Sequence, residues 1–432
     1  MDRPAITTGV RPAEGTMGDD DAGDDADAAP IDPSGVGQFL KRDRCHRYIK
    51  QRVDPGAEPT ARDWTEAFSA SNVGLLGHGQ EFEATQLEAL AANATRIIGP
   101  EITGTAAAGV PDIAIDETWA ASTAGRVEQL QAAAATAATL SAADGEYVLC
   151  YQAPLGGDVG AEAVWGEADC LVFAPTPPST EAVADEPDTA AHPAREQSTE
   201  AVIARVLEIK SATEQHSAHN VQAAIYSQLL EQTLEEQDSP ACRIETSVLL
   251  RTQAASPGAA LDPLMIPTFP RAQWEVFATE LLAEGGPIDA ALNTALSELP
   301  FALTNVCSNC AYREACATRA VEDPTAPASL ALVGLDAGTQ RTLREHGITD
   351  LQTLSDLLPR VADPTPTAPA PTPTGELAPQ RRRALEEALP EPIHQTVQRA
   401  QARRGEVDPS YPSATRPPAY RGHGWVPLPD DR

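Results

Sequence analysis

The chain has 432 residues, with 31 basic against 63 acidic side chains and a formal charge of −32, enough for about two or three domains with a sizeable core. No apolar run reaches the roughly 20 residues of a bilayer span, and the acidic N-terminus is unlike a secretion signal, so a soluble, cytoplasmic protein without a membrane partner is expected. Only three cations are lysine (Lys41, Lys50 and Lys210) against 28 arginines. Scarce lysine and abundant carboxylate suit molar salt, as in a halophile, where the Debye length is about 3 Å and net charge no longer forbids a polyanionic partner.

Residues 1–33 hold nine acids and are predicted to form a disordered tail. The patterning then predicts helices over Leu76–Ala94 and Val127–Leu140 and strands over Tyr147–Leu155, Ala163–Phe173 and Ala201–Lys210. A helix over His219–Leu234, a strand over Ile244–Arg251 and a helix over Arg271–Ala283 follow. Apart from the Ala-rich helix at 127–140, the order is α-β-β-β-α-β with a helix after it, an α/β class. Pro- and acid-rich residues 174–200 read as a hairpin-loop insertion, 361–379 as a Pro/Thr linker, and 380–432 as an arginine-containing C-terminal tail.

Asp169 falls in the second strand, and Glu208-Ile209-Lys210 ends the third. Alternation sends Glu208 and Lys210 to one side. With Asp169 beside them, two carboxylates and an amine can meet at one point. That is the minimum for a hard cation such as Mg²⁺ or Mn²⁺, to which the Ile209 carbonyl could add a ligand. Lys210 would orient or help deprotonate the attacking water and steady a phosphate charge. In a chain this poor in lysine, a lysine there points to a role arginine cannot fill. Gln222 and Tyr226, four apart, share one face of the next helix.

The segments GEAD (Gly166–Asp169), EIK (Glu208–Lys210) and QAAIY (Gln222–Tyr226) resemble the motifs of the RecB-like branch of the PD-(D/E)XK nucleases. The resemblance implies a restriction-endonuclease-like αβββαβ core over residues 34–325. It also implies metal-dependent hydrolysis of DNA, most of all single-stranded or flapped DNA, with exonuclease action in repair, recombination or CRISPR adaptation. Asp169, Glu208 and Lys210 would be catalytic, and Gln222 and Tyr226 would position the strand. GHGQEFE (Gly77–Glu83) resembles the helix that supplies a further acidic ligand, here Glu83; Phe82 stands where many relatives carry His, with His78 a turn earlier. No helicase motif is visible, so a helicase or other repair or CRISPR partner would be a separate chain. The alternative is a non-catalytic DNA-binding scaffold subunit.

The seven cysteines are too few for a disulfide scaffold of this size, and three crowd into Cys307-x2-Cys310-x5-Cys316, with Cys45 far upstream. Spacing alone allows a structural zinc or a [4Fe–4S] cluster. The resemblance favours the cluster, because iron–sulfur RecB-like nucleases place one cysteine before the core and three after it; it would staple the domain's two ends. Cys150, Cys170 and Cys242 read as small apolar residues. Lys41, Arg42, Arg44, Arg47 and Lys50 form a basic run that is either a solvated face or a DNA-backbone track. Residues 329–358 resemble a helix-hairpin-helix module, within a predicted unit of 326–360. Its Gly334-Leu335-Asp336 turn carries an acid where phosphate would approach, so the unit is either a DNA contact or a packing module.

Overall fold

The computed structural model describes residues 30–54, 70–100, 114–177, 201–235 and 240–299, and most of 303–357 and 379–407. The expected tail before residue 30, the hairpin loop at 178–200 and most of the Pro/Thr linker lie outside the described residues. Those described comprise twelve helices and one mixed six-stranded sheet, an α/β fold.

The chain enters through α1 (Pro33–Lys41), whose Asp32 N-cap accepts from the Ser34 N–H at 2.9 Å, with proline at its first turn. Helix α2 (His46–Val53) follows, then α3 (Ala70–Ala91). Strands β1 (Ala94–Gly99) and β2 (Glu117–Thr118) lead to α4 (Thr123–Ala137). A long hairpin, β3 (Tyr147–Val159) and β4 (Glu162–Pro175), continues antiparallel into β5 (Val202–Lys210). Helix α5 (Ser217–Glu235) crosses over to β6 (Cys242–Leu250), which pairs parallel with β5. The sheet order is β2-β1-β3-β4-β5-β6. Helices α6 (Arg271–Leu281) and α7 (Pro287–Leu292) complete this part.

The four long strands and the helices around them match the expected order. Strands β1 and β2 did not announce themselves, because six and two residues are too short to show a period. Ile31 is also part of the fold rather than the tail: it is 2% exposed and bridges Val164. Strand β5 is buried along eight of its nine residues, as expected of a strand covered on both faces. Over one face lie Val36 and Phe39 of α1, Ala133 and Ala134 of α4, and Ile225 and Leu229 of α5; over the other lie Leu87 and Leu90 of α3.

A second core forms among the C-terminal helices α8 (Arg313–Glu322), α9 (Ala337–Glu345), α10 (Leu351–Ser355), α11 (Pro379–Ala388) and α12 (Ile393–Val407). Residues 380–407, expected as part of a tail, are therefore corrected: Leu385, Leu389, Ile393 and Val397 are buried with Leu343 and Leu354, while 408–432 lie outside the described residues. Their apolar spacing is diluted by arginines, which hid the pattern, and Arg404 pairs with Asp356 at 2.9 Å. In the unit that resembles a helix-hairpin-helix, Gly334 makes its turn at φ 73° and Leu335 is buried; Asp336 lies outside the described residues.

Candidate active site

The sheet opens where Asp169 sits. Strands β3 and β4 pair at Tyr151–Cys170 and again at Ala153–Ala168, but Gln152 and Asp169 between them are skipped. The ladder from β4 to β5 starts only at Cys170–Leu207. Asp169 thus loses its backbone pairing on both sides, and Gln152 opposite takes the left-handed φ of 45°, rare for a residue with a side chain. The skip also exchanges faces. Val148 and Cys150 point to the α5 side before it, Ala153 and Leu155 after it; on β4, Leu171 and Ala168 make the same change. Strict alternation would not produce this, so one bulged residue on each strand moves the outer hairpin arm out of phase with the inner one.

Into this break come the end of β5 and the middle of α3. Asp169 Oδ2 accepts from the Ile209 N–H at 2.7 Å and from Lys210 Nζ at 3.0 Å. Lys210 Nζ also lies 2.6 Å from Glu208 Oε2. That contact is a close ion pair but is not aligned as a hydrogen bond. Both oxygens of fully buried Glu208 lack a hydrogen-bond partner among the described residues. Burial and Asp169 push the Glu208 carboxyl up. Burial alone would lower the Lys210 ammonium, but the two carboxylates outweigh it and hold it protonated. Glu83 reaches the same centre from α3, pushed up to about 7 by burial and by Asp169. A Cβ on Gly79, one turn before Glu83, would stand 3.8 Å from Ser211 Oγ, which sets α3 against the end of β5. Phe82 packs into the apolar face, while exposed His78 pairs with Glu81 at 3.7 Å, so neither joins the centre.

Helix α5 supplies the expected pair. The Tyr226 hydroxyl donates to the Glu167 carbonyl at 2.9 Å, and Gln222 and Tyr226 both line the cleft beside Asp169 and Lys210. Gly166 makes room for this: a Cβ there would lie 2.8 Å from both the Tyr226 hydroxyl and Pro33 Cδ. The cleft measures about 910 Å³ and runs between α1, α5 and the β2–α4 connection. It also takes in Gln152, Trp165 and His219, none of which was expected there, and Lys41 from the basic run. Burial, then Lys41 and Lys210, hold His219 down to about 3. The basic run divides. Arg47 and Lys50 donate to the Leu296 and Leu292 carbonyls, at 2.8 and 2.5 Å, as structural contacts. Arg44 lies over the Phe277 ring, and only Lys41 of the run faces the cleft.

The four expected cysteines gather at another place. The Tyr312 hydroxyl donates to the Gln51 carbonyl at 3.2 Å and its ring meets Tyr48 at 6.0 Å, docking the 310–316 segment on α2. Burial first, then Cys310 and Cys307, push the Cys45 thiol up to about 11. Burial likewise raises Cys316, against Arg47 and with Cys45 and Cys310 adding. Cys45 thus lies within electrostatic reach of Cys307, Cys310 and Cys316, which come to it from across the fold. Cys150 and Cys170 are fully buried in the sheet, as expected of small apolar residues. Among the described residues, no group of three or more His, Cys, Asp or Glu side chains is already arranged to hold a metal ion. The donor chemistry nonetheless fits at both places: orphaned, crowded carboxylates for a hard cation, and buried or half-buried thiols for a soft one. No protein-family model, curated protein or solved structure matches the chain.

Proposed function

We propose that the chain is a metal-dependent nuclease that hydrolyses phosphodiester bonds in single-stranded or flapped DNA. The observation that carries this reading is the meeting of Asp169, Glu208 and Lys210 at the break in the sheet, where Asp169 and Lys210 line the cleft and Glu208 lies buried behind them. Counting Glu83, three carboxylates face one ammonium. With all three ionised, two negative charges would remain, the deficit a divalent cation with oxygen ligands supplies; without one, Glu83 and Glu208 are pushed towards the protonated form. Asp169, Glu208 and Glu83 would hold Mg²⁺ or Mn²⁺. When bound, such an ion polarises a phosphoryl oxygen and lowers the pKa of its water.

The protein's own groups do the rest. Lys210, kept protonated by its two carboxylates, works as a fixed cation: it orients water and stabilises charge growing on the scissile phosphate. Gln222 and Tyr226 hold the strand, with Tyr226 fixed by the Glu167 carbonyl. Cys45, Cys307, Cys310 and Cys316 would hold a [4Fe–4S] cluster, with zinc the alternative, that ties α2 to the 307–316 segment.

The test is nucleotide release from end-labelled single-stranded DNA in high KCl with Mn²⁺, after anaerobic preparation. Lys210→Ala should cut release by about 100-fold or more and leave DNA affinity nearly intact. Equal release by the variant sinks the reading. Iron and acid-labile sulfide that vanish together in Cys45→Ser would identify the cluster; zinc in their place would identify the alternative.

A further inference from the structure

Two features of the cleft are unused by this chemistry. The first is Trp165, 43% exposed. It is one of three large apolar side chains so exposed among the described residues, and the one that lines the cleft. Its seat is built. Trp165 pairs across the hairpin with Gly156, and a Cβ on Gly156 would come 2.9 Å from Trp165 Cδ1, so the indole lies against bare backbone. The Trp165 backbone N–H donates to the Ile31 carbonyl at 3.0 Å, which pins the strand from the other side. The second is Lys41. Lys50 pairs with Asp54 and Lys210 with two carboxylates, whereas Lys41 has no ion-pair partner among the described residues. In a chain with twice as many acids as bases, a cation left without a counter-ion on a cleft wall is available to an external anion.

An aromatic face and a bare ammonium in one cleft suit an unpaired nucleotide strand. Bases within a duplex are already stacked and offer no free face, whereas single-strand sites combine stacking platforms with backbone cations. We propose that the cleft is a single-strand track in which Trp165 stacks one base and Lys41 holds a backbone phosphate, on a strand whose neighbouring phosphate reaches Asp169, Glu208 and Lys210. The proposal rests on the nuclease reading and narrows its substrate to a DNA strand with splayed bases.

The test uses the full chain with Ca²⁺ replacing Mn²⁺ and fluorescently labelled 12-nucleotide DNAs, each with one abasic position, beside a blunt duplex of the same sequence. The single strand should bind more tightly than the duplex. Trp165→Ala should weaken it by about tenfold, while Trp165→Phe retains most of the affinity. One abasic position should weaken the wild type and have no further effect on Trp165→Ala. Lys41→Ala should weaken every strand alike and reduce the slope of log affinity against log salt by about one. Duplex preference, or a wild type indifferent to every abasic position, overturns the track; if Lys210-dependent release persists, the nuclease reading survives it. Absence of both binding and release overturns the two together.

Discussion

Glu208 has no solvent exposure, no aligned hydrogen bond and one cation 2.6 Å away. Its carboxyl is pushed up to about 8 by burial and Asp169, and Glu83 to about 7 by the same two causes. Both groups bind protons in the folded chain that the unfolded chain has released, so stability falls as pH rises towards 8. His219, held down to about 3 from its ordinary 6.5, costs stability only as pH falls below 6.5. Lys210 is raised from an already basic value and adds no slope in this range. In EDTA, the Tm should therefore fall between pH 6.5 and 8, and Mn²⁺ should flatten the fall; thermal unfolding across pH checks it, and a flat profile in EDTA contradicts the crowded-carboxylate account. Asp169, Glu208 and Lys210 were legible because a strand's period fixes sidedness. Gln152 and Trp165 were not, since each owes its place to a tertiary event, a skipped pair and a glycine across the hairpin; Lys41 was legible only as one of a basic run, and the end of α1 is what brings it to the cleft.

The elements differ in how openly the sequence shows them. Helix α5 and strands β3 to β6 were readable from long apolar patterning. Helix α1 was not, because Gly35 and Gly37 argue against a helix. Their reason is packing: a Cβ on Gly37 would press to 3.3 Å from the Ala218 carbonyl, so glycine lets α1 lie close on α5 and brings Lys41 to the cleft. Gly166 works in the same way on β4. Gly166→Ala should cost about 1–3 kcal/mol by overpacking, lower the Tm, and displace Tyr226. A variant as stable and active as wild type would show that the strand yields without cost.

At the scale of the whole molecule, two cores carry the chain. The sheet core holds the cleft; the C-terminal helical core includes Cys316 and closes with α11 and α12. Ending the chain at residue 357 strips Leu385, Leu389, Ile393 and Val397 from that core, and each buried leucine lost typically costs about 2–5 kcal/mol. Amide exchange in α9 and α10 should then accelerate sharply; unchanged protection would mean that α11 and α12 only decorate the surface. The charge of −32 adds a global term. Raising KCl from 0.1 to 1 M shrinks the Debye length from about 10 to about 3 Å, so the Tm should climb with KCl, and a Tm insensitive to salt contradicts that term.

The paired skip at Gln152 and Asp169 has a mechanical meaning. A sheet transmits force through its rungs, and here one rung is missing at the root of the long hairpin. Inside that root the strands are clamped from both faces; outside it the arm carrying Trp165 is held by α1, α5 and the Ile31 bridge. With that rung missing, the outer arm is tied to the frame more by side-chain packing than by backbone at this point, so the hairpin's weakest backbone joint lies at Asp169.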